Sequence, residues 1–126
     1  MISPCRSPRL TQAHSQSFIA TILSQNPGTP IIASGDLNEF SFVAPLKAFV
    51  SISKLREADE VAGLKPVERY TYLFDMSSQQ LDHAYVSRGV KDVEVEHVHI
   101  NTWGGAEGSG SDHDPTVLKV GVCGSY

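Results

Sequence analysis

Apolar residues first return at helical spacing in "TQAHSQSFIATILSQNPG". Phe18, Ile19, Ile22 and Leu23 share one face, Thr11 is placed to cap, and Asn26-Pro27-Gly28 stops the run. Ahead of it, residues 1–10 carry two prolines and two arginines and are predicted to be irregular. "PIIAS" is a short continuous apolar run, the pattern of a buried strand, and it passes at once into the polar "GDLNEF". Helix, turn, strand and a polar loop at the strand's carboxyl end is an α/β arrangement, and such ends are where α/β sheets place their ligands.

Pro45 suits the first turn of a second helix, with Leu46, Phe49 and Val50 as its apolar face. "KLREADEVAGL" predicts a charged helical turn and loop. "RYTYLF" and "LDHAYVS", both rich in strand formers, are separated by "DMSSQQ" and predict a hairpin. "DVEVEHVHI" alternates as a strand does, "INTWGGAEGSGSDHD" is a long glycine-rich loop, and "PTVLKVGV" closes the chain as a strand. A loop that long inside a compact domain is usually functional or mobile.

At 126 residues the chain builds one modest domain, divided here into an irregular segment 1–10 and a folded unit 11–122. Its 40% apolar and 19% charged residues are the balance of a soluble globular protein. No apolar stretch reaches the roughly 18 residues of a membrane helix, and "MISPCRSPRL" lacks the apolar middle of a secretory signal, so the compartment stays open. The formal charge of −4 argues against tight duplex binding. It leaves room for catalysis on phosphates, where a divalent cation supplies the positive charge. Cys5 and Cys123 would form a terminal staple in an oxidising compartment, but two cysteines do not diagnose one.

Three polar clusters follow or interrupt the strands. Asp36 and Asn38 follow "IIASG": a carboxylate there binds a metal or orients a water, or else forms an Asp-Asn turn that satisfies its own backbone. Asp82 lies inside a strand, where an unpaired buried carboxylate is costly. It either faces water at an edge or pairs with a histidine, fixing the tautomer and stabilising the imidazolium. In "GSGSDHDPTVLKV", His113 is the natural partner for Asp82. Asp112 offers a hard oxygen ligand for magnesium or manganese, and Pro115 holds Asp114 extended; the alternative is a plain polar turn. His97 and His99 share a strand face and read as surface or partly buried histidines, with a zinc site of His97, His99 and His113 as a weaker reading. Trp103 reads as a loop anchor.

Taken in order, "IIASGDLNEF", "ERYTYLF", "LDHAYVS" and "GSGSDHDPTVLKV" resemble four motifs of the C-terminal half of the endonuclease/exonuclease/phosphatase superfamily. This family of magnesium-dependent phosphodiesterases and phosphomonoesterases includes abasic-site endonucleases, DNase I, inositol-polyphosphate phosphatases and neutral sphingomyelinases. The match runs from about Arg9 to Val120, with Leu37 where the family usually has Phe. The resemblance implies half of a DNase I-like four-layered α/β sandwich, with a mixed, mostly antiparallel sheet and flanking helices.

By position it implies that Asp36 orients and deprotonates an attacking water while Asn38 holds a phosphate oxygen. Asp82 would pair with His113, which faces the phosphoryl group, and Asp112 would contribute to a Mg2+ or Mn2+ site. Thr71 and Tyr72 would lie near the substrate. The substrate would be a phosphoester: nucleic acid, a phosphorylated small molecule or a lipid headgroup. The acidic balance and the absence of a Lys/Arg run point away from a duplex-DNA repair enzyme, towards a smaller or secreted phosphodiesterase.

The family's N-terminal half brings an Asn, a metal-binding Glu and a further His, and neither Glu39 nor Glu57 matches that glutamate's context. A truncated copy is therefore expected. It would have an apolar sheet face open to self-association and a weakened metal site, and a non-catalytic remnant or interaction module is the competing reading.

Overall fold

The computed structural model describes residues 8–102 and 110–122, with the side chains of the first helix described from residue 14 onward. The elements run α1 (Pro8–Gln25), β1 (Ile32–Asp36), α2 (Ala44–Ser53), β2 (Arg56–Glu57), α3 (Ala58–Val61), a 3-10 turn (Pro66–Glu68), β3 (Tyr72–Phe74), β4 (Ser77–Gln79), β5 (Asp82–Val86), β6 (Lys91–His97) and β7 (Thr116–Gly121). The fold is mixed α and β, and among the described residues every strand pair is antiparallel: a three-stranded sheet ordered β1-β5-β2 and two ribbons, β3-β4 and β6-β7.

Helices cover one face of the three-stranded sheet. Ile19 of α1, Phe49 of α2, Leu55 and Tyr85 form one cluster, joined by Leu23, Ile31, Ala33, Leu37 and Val50. The Phe49 and Tyr85 rings meet tilted, with centroids 5.1 Å apart. On β5 the residues that alternate with Tyr85 belong to a second cluster. Val86 is buried with Ala58 and Val90, and Ala84, Val93, Val95, Leu118 and Val120 pack against them. Complete burial of Val86 and Val90 contributes about 2 kcal/mol each. β5 is thus the central element, with α1 and α2 on one side and α3 and the β6-β7 ribbon on the other.

The observed elements depart from the sequence pattern at four places. The helix begins at Pro8, so residues 8–10 are helical rather than irregular and Thr11 lies inside the helix; a proline's fixed φ suits a first turn. β1 is an edge strand, largely exposed, because the face and edge it presents have no neighbouring strand among the described residues. "RYTYLF" does not pair with "LDHAYVS". It forms its own hairpin, Tyr72–Phe74 against Ser77–Gln79, closed by Asp75 and Met76 at φ of 47° and 61°. That closure frees β5 to pair with β1 and β2. The charged stretch after α2 contains the short strand β2, which hydrogen-bonds to β5 before the α3 turn. Cys5, Cys123 and Trp103 lie outside the described residues.

Candidate functional site

β1 and β5 run antiparallel in a register that places Asp36 directly opposite Asp82. Like charges facing across a ladder repel, so the pair needs a neighbouring positive charge. His113 provides it. Its Nδ1 lies 2.6 Å from Asp82 Oδ2, with the two side chains 23% and 24% exposed. One ligand atom from each of Asp36, Asp82 and His113 falls within 4.8 Å of the others. Burial acts to lower the His113 pKa, but the hydrogen bond to Asp82 and the negative fields of Asp82, Asp36 and Asp112 outweigh it and raise the value above 6.5. Beside the corner lies a cleft of about 280 Å³, lined in part by Gly35, Asp36, Asp82, Ala84, Thr116 and Leu118.

Asp36 Oδ1 accepts the backbone N–H of Asn38 at 2.9 Å, so the carboxylate also makes the turn that its sequence context suggested. Asn38 sits at φ 53°, a left-handed conformation that Asn tolerates, and is exposed next to the corner. Asp112 is exposed beside His113 and is not one of the three clustered ligands. Tyr72 is half-buried, its ring 5.0 Å from the His113 ring, and its backbone bridges to His113. Thr71 is fully buried instead of lining the cleft. Its hydroxyl accepts the N–H groups of Leu81 and Asp82, at 3.3 and 3.2 Å, and its carbonyl accepts Asp114 N at 2.7 Å. Thr71 therefore holds both the start of β5 and the segment carrying His113.

Asp114 is also structural. Its buried carboxylate accepts Asn101 N at 2.8 Å, Thr102 N at 3.0 Å, Thr102 Oγ1 at 2.6 Å and His99 Nδ1 at 2.8 Å. Burial acts to raise its pKa, but these four donors outweigh it and depress the value below 3.8. His99 stacks on Tyr70 at 3.8 Å between centroids. His97, His99 and His113 each face a different carboxylate, Asp59, Asp114 and Asp82. Among the described residues the three histidines form no common ligand set.

A buried polar chain that the sequence did not single out underlies the site. His83 Nε2 bonds to the carbonyl of Glu39 at 2.8 Å, and its Nδ1 to Glu57 Oε1 at 3.2 Å. Gln80 Nε2 donates to Glu57 Oε1 at 3.1 Å and to Asp59 Oδ2 at 2.6 Å. Asp59 holds His97 Nε2 at 3.0 Å, and His97 Nδ1 meets Thr116 Oγ1 at 2.8 Å. The chain joins the loop after Asp36 to the segment after His113. Both ring nitrogens of His83 face acceptors, so the imidazolium satisfies both. Burial lowers its pKa, while the bonds to Glu57 and Glu39 and the fields of Glu57 and Asp59 raise it, for a net rise above 6.5. Its members lie in segments that read as solvated charge or as strand, and no spacing signal connects them.

No family model, curated protein or solved structure matches this chain. Among the described residues no helix is long and apolar enough to cross a membrane.

Proposed function

We propose that this chain carries the reactive corner of a divalent-metal-dependent phosphoester hydrolase, built as the C-terminal half of a DNase I-like four-layered α/β sandwich. One observation supports it most: the register sets Asp36 against Asp82 while Asp82 grips the His113 imidazole. In this reading Asp36 orients the attacking water and takes its proton as the new P–O bond forms. Asn38 holds a phosphate oxygen. His113, oriented by Asp82, faces the phosphoryl group and gives a proton to the leaving oxygen as the old P–O bond breaks.

Two opposed carboxylates with hard oxygen donors fit a Mg2+ or Mn2+ ion. Asp36 would hold it, with Asp112 close by. When bound, the ion supplies positive charge to the phosphoryl oxygens and lowers the pKa of a bound water.

The test is hydrolysis of bis-p-nitrophenyl phosphate and of plasmid DNA with Mg2+ or Mn2+, with and without EDTA. Turnover should vanish on chelation and fall by about 100-fold or more in Asp36→Asn and His113→Ala. Turnover indifferent to both substitutions refutes the assignment.

A second reading, a non-catalytic interaction module, is favoured by the open edge and exposed residues of β1, where Ile32 is 45% exposed. It predicts no turnover with any metal, together with concentration-dependent self-association in light scattering.

A further inference from the structure

Four of the ten Lys and Arg residues, Lys54, Arg56, Arg88 and Lys91, gather at one end of the three-stranded sheet. Arg56 pairs with Val86 in the ladder, at the opposite end of β5 from Asp82. Four residue steps of strand separate the two ends, about 13 Å. All four side chains are exposed, and among the described residues none is ion-paired. Arg56 makes one long bond, Nη2 to the Ser87 carbonyl at 3.4 Å, and Lys91 Nζ caps the Arg88 carbonyl at 2.8 Å.

Arg56 and Arg88 form the common wall of two clefts. One, of about 500 Å³, sets Leu23, Pro27 and Ile52 beside Lys54, Arg56 and Arg88. The other, of about 510 Å³, continues past Arg56 and Arg88 to Lys91, where Asp92 is the only carboxylate among the described lining residues. Glu57 and Glu60 line a further depression that Arg56 also borders. Positive charge thus stands next to exposed apolar surface in a protein that is acidic overall. A bare anion has no use for the apolar wall, and an apolar ligand none for the two guanidinium groups.

We propose that the Arg56–Arg88 wall is a nucleotide-binding site. The phosphate lies on the two guanidinium groups with Lys91 beside it, and the base covers Leu23, Pro27 and Ile52. A planar guanidinium suits bidentate phosphate contact, and a base offers a flat face to apolar side chains and to arginine. The volume of each cleft is within the range of small-molecule sites. A free nucleotide and one unit of a single strand share this chemistry. The site stands apart from the Asp36–Asp82–His113 corner and does not rest on the hydrolase reading.

The test is fluorescence anisotropy in EDTA, so that hydrolysis plays no part, with a labelled adenosine monophosphate and a labelled oligothymidylate as separate probes. At least one probe should bind saturably. Arg56→Gln/Arg88→Gln and Ile52→Ser should each weaken it, the first by about 10-fold or more and the second by about 3-fold or more. Lys119→Gln, which removes an exposed lysine from β7, should change affinity less than about 2-fold. Tighter oligonucleotide binding, with log affinity falling by roughly 0.7 per phosphate contact for each decade of salt, identifies a strand site. Equal or tighter mononucleotide binding identifies a free-nucleotide site.

Four results overturn the proposal. They are no saturable binding to either probe, a loss in Lys119→Gln as large as in the arginine pair, full affinity in Ile52→Ser, and binding confined to phosphatidylserine vesicles. Circular dichroism confirms that each variant is folded. Should the arginine pair not fold, the single Arg88→Gln variant carries the same expectation.

Discussion

Asp114 follows His113 directly, yet its carboxylate turns into four donors. Replacing it with alanine strands two backbone N–H groups, a threonine hydroxyl and the His99 ring nitrogen, which lie 2.6 to 3.0 Å from its oxygens. Hydrogen bonds to a charged group contribute about 1.5–3 kcal/mol apiece, but exposed loop donors regain water, so the sum does not add. Breaking a buried charged cluster costs about 3–5 kcal/mol, and Asp114→Ala is expected near 4.

Asp114→Asn keeps one carbonyl for Asn101 N and Thr102 N and turns an amide towards the Thr102 hydroxyl and His99. It should cost about half as much, near 2 kcal/mol. In urea, with a slope of about 2 kcal/mol per molar, the midpoints fall by about 2 M and 1 M. The acid limb gives an independent check. Asp114 has a depressed pKa, so its contribution is complete above 3.8 and disappears as pH falls through the lower folded value; the wild-type advantage over Asp114→Asn should close below 3.8. An Asp114→Ala loss under about 1 kcal/mol, or equal losses in both variants, refutes the clamp.

His83, with its raised pKa, has the opposite sign. Its contribution is complete below 6.5 and lost as pH rises through the folded value, so the stability gap between wild type and His83→Gln, followed by urea melts from about pH 5 to pH 9, should narrow on the alkaline side. A Cβ at Gly89 would collide with the Gly28 carbonyl oxygen and lie 2.8 Å from Thr29; Gly89→Ala should cost about 2 kcal/mol, and a neutral melt contradicts that contact. Met76 holds φ 61° in the two-residue turn of the β3-β4 hairpin, where glycine is at ease; Met76→Gly should stabilise by about 1 kcal/mol, read as a higher midpoint at unchanged slope.

Local pattern foretold much of the fold. The periodicity of Ile19, Ile22 and Leu23, the proline at the start of α2 and the alternation of residues 92–97 each report one element, because each depends only on near neighbours along the chain. The pairing of Asp82 with His113 was also legible, since a carboxylate inside a strand demands a partner. Strand partners were not. "LDHAYVS" pairs with β1 and β2 rather than with the preceding run, a choice settled by which closure lets Tyr85 and Val86 reach both apolar clusters.

The sequence by itself located the two long helices and most of the strands, and it singled out Asp36, Asp82 and His113 as candidate residues. Only the tertiary structure decided that Asp36 faces Asp82, that Thr71 and Asp114 are braces, and that Glu57, Gln80 and Asp59 form a buried chain between two histidines. It also assembled Lys54, Arg56, Arg88 and Lys91 into one patch from two segments that show no basic run. The physical reason is the same throughout: element type is set by short-range sterics and burial period, whereas register and side-chain partners depend on contacts between residues distant along the chain, which no local window contains.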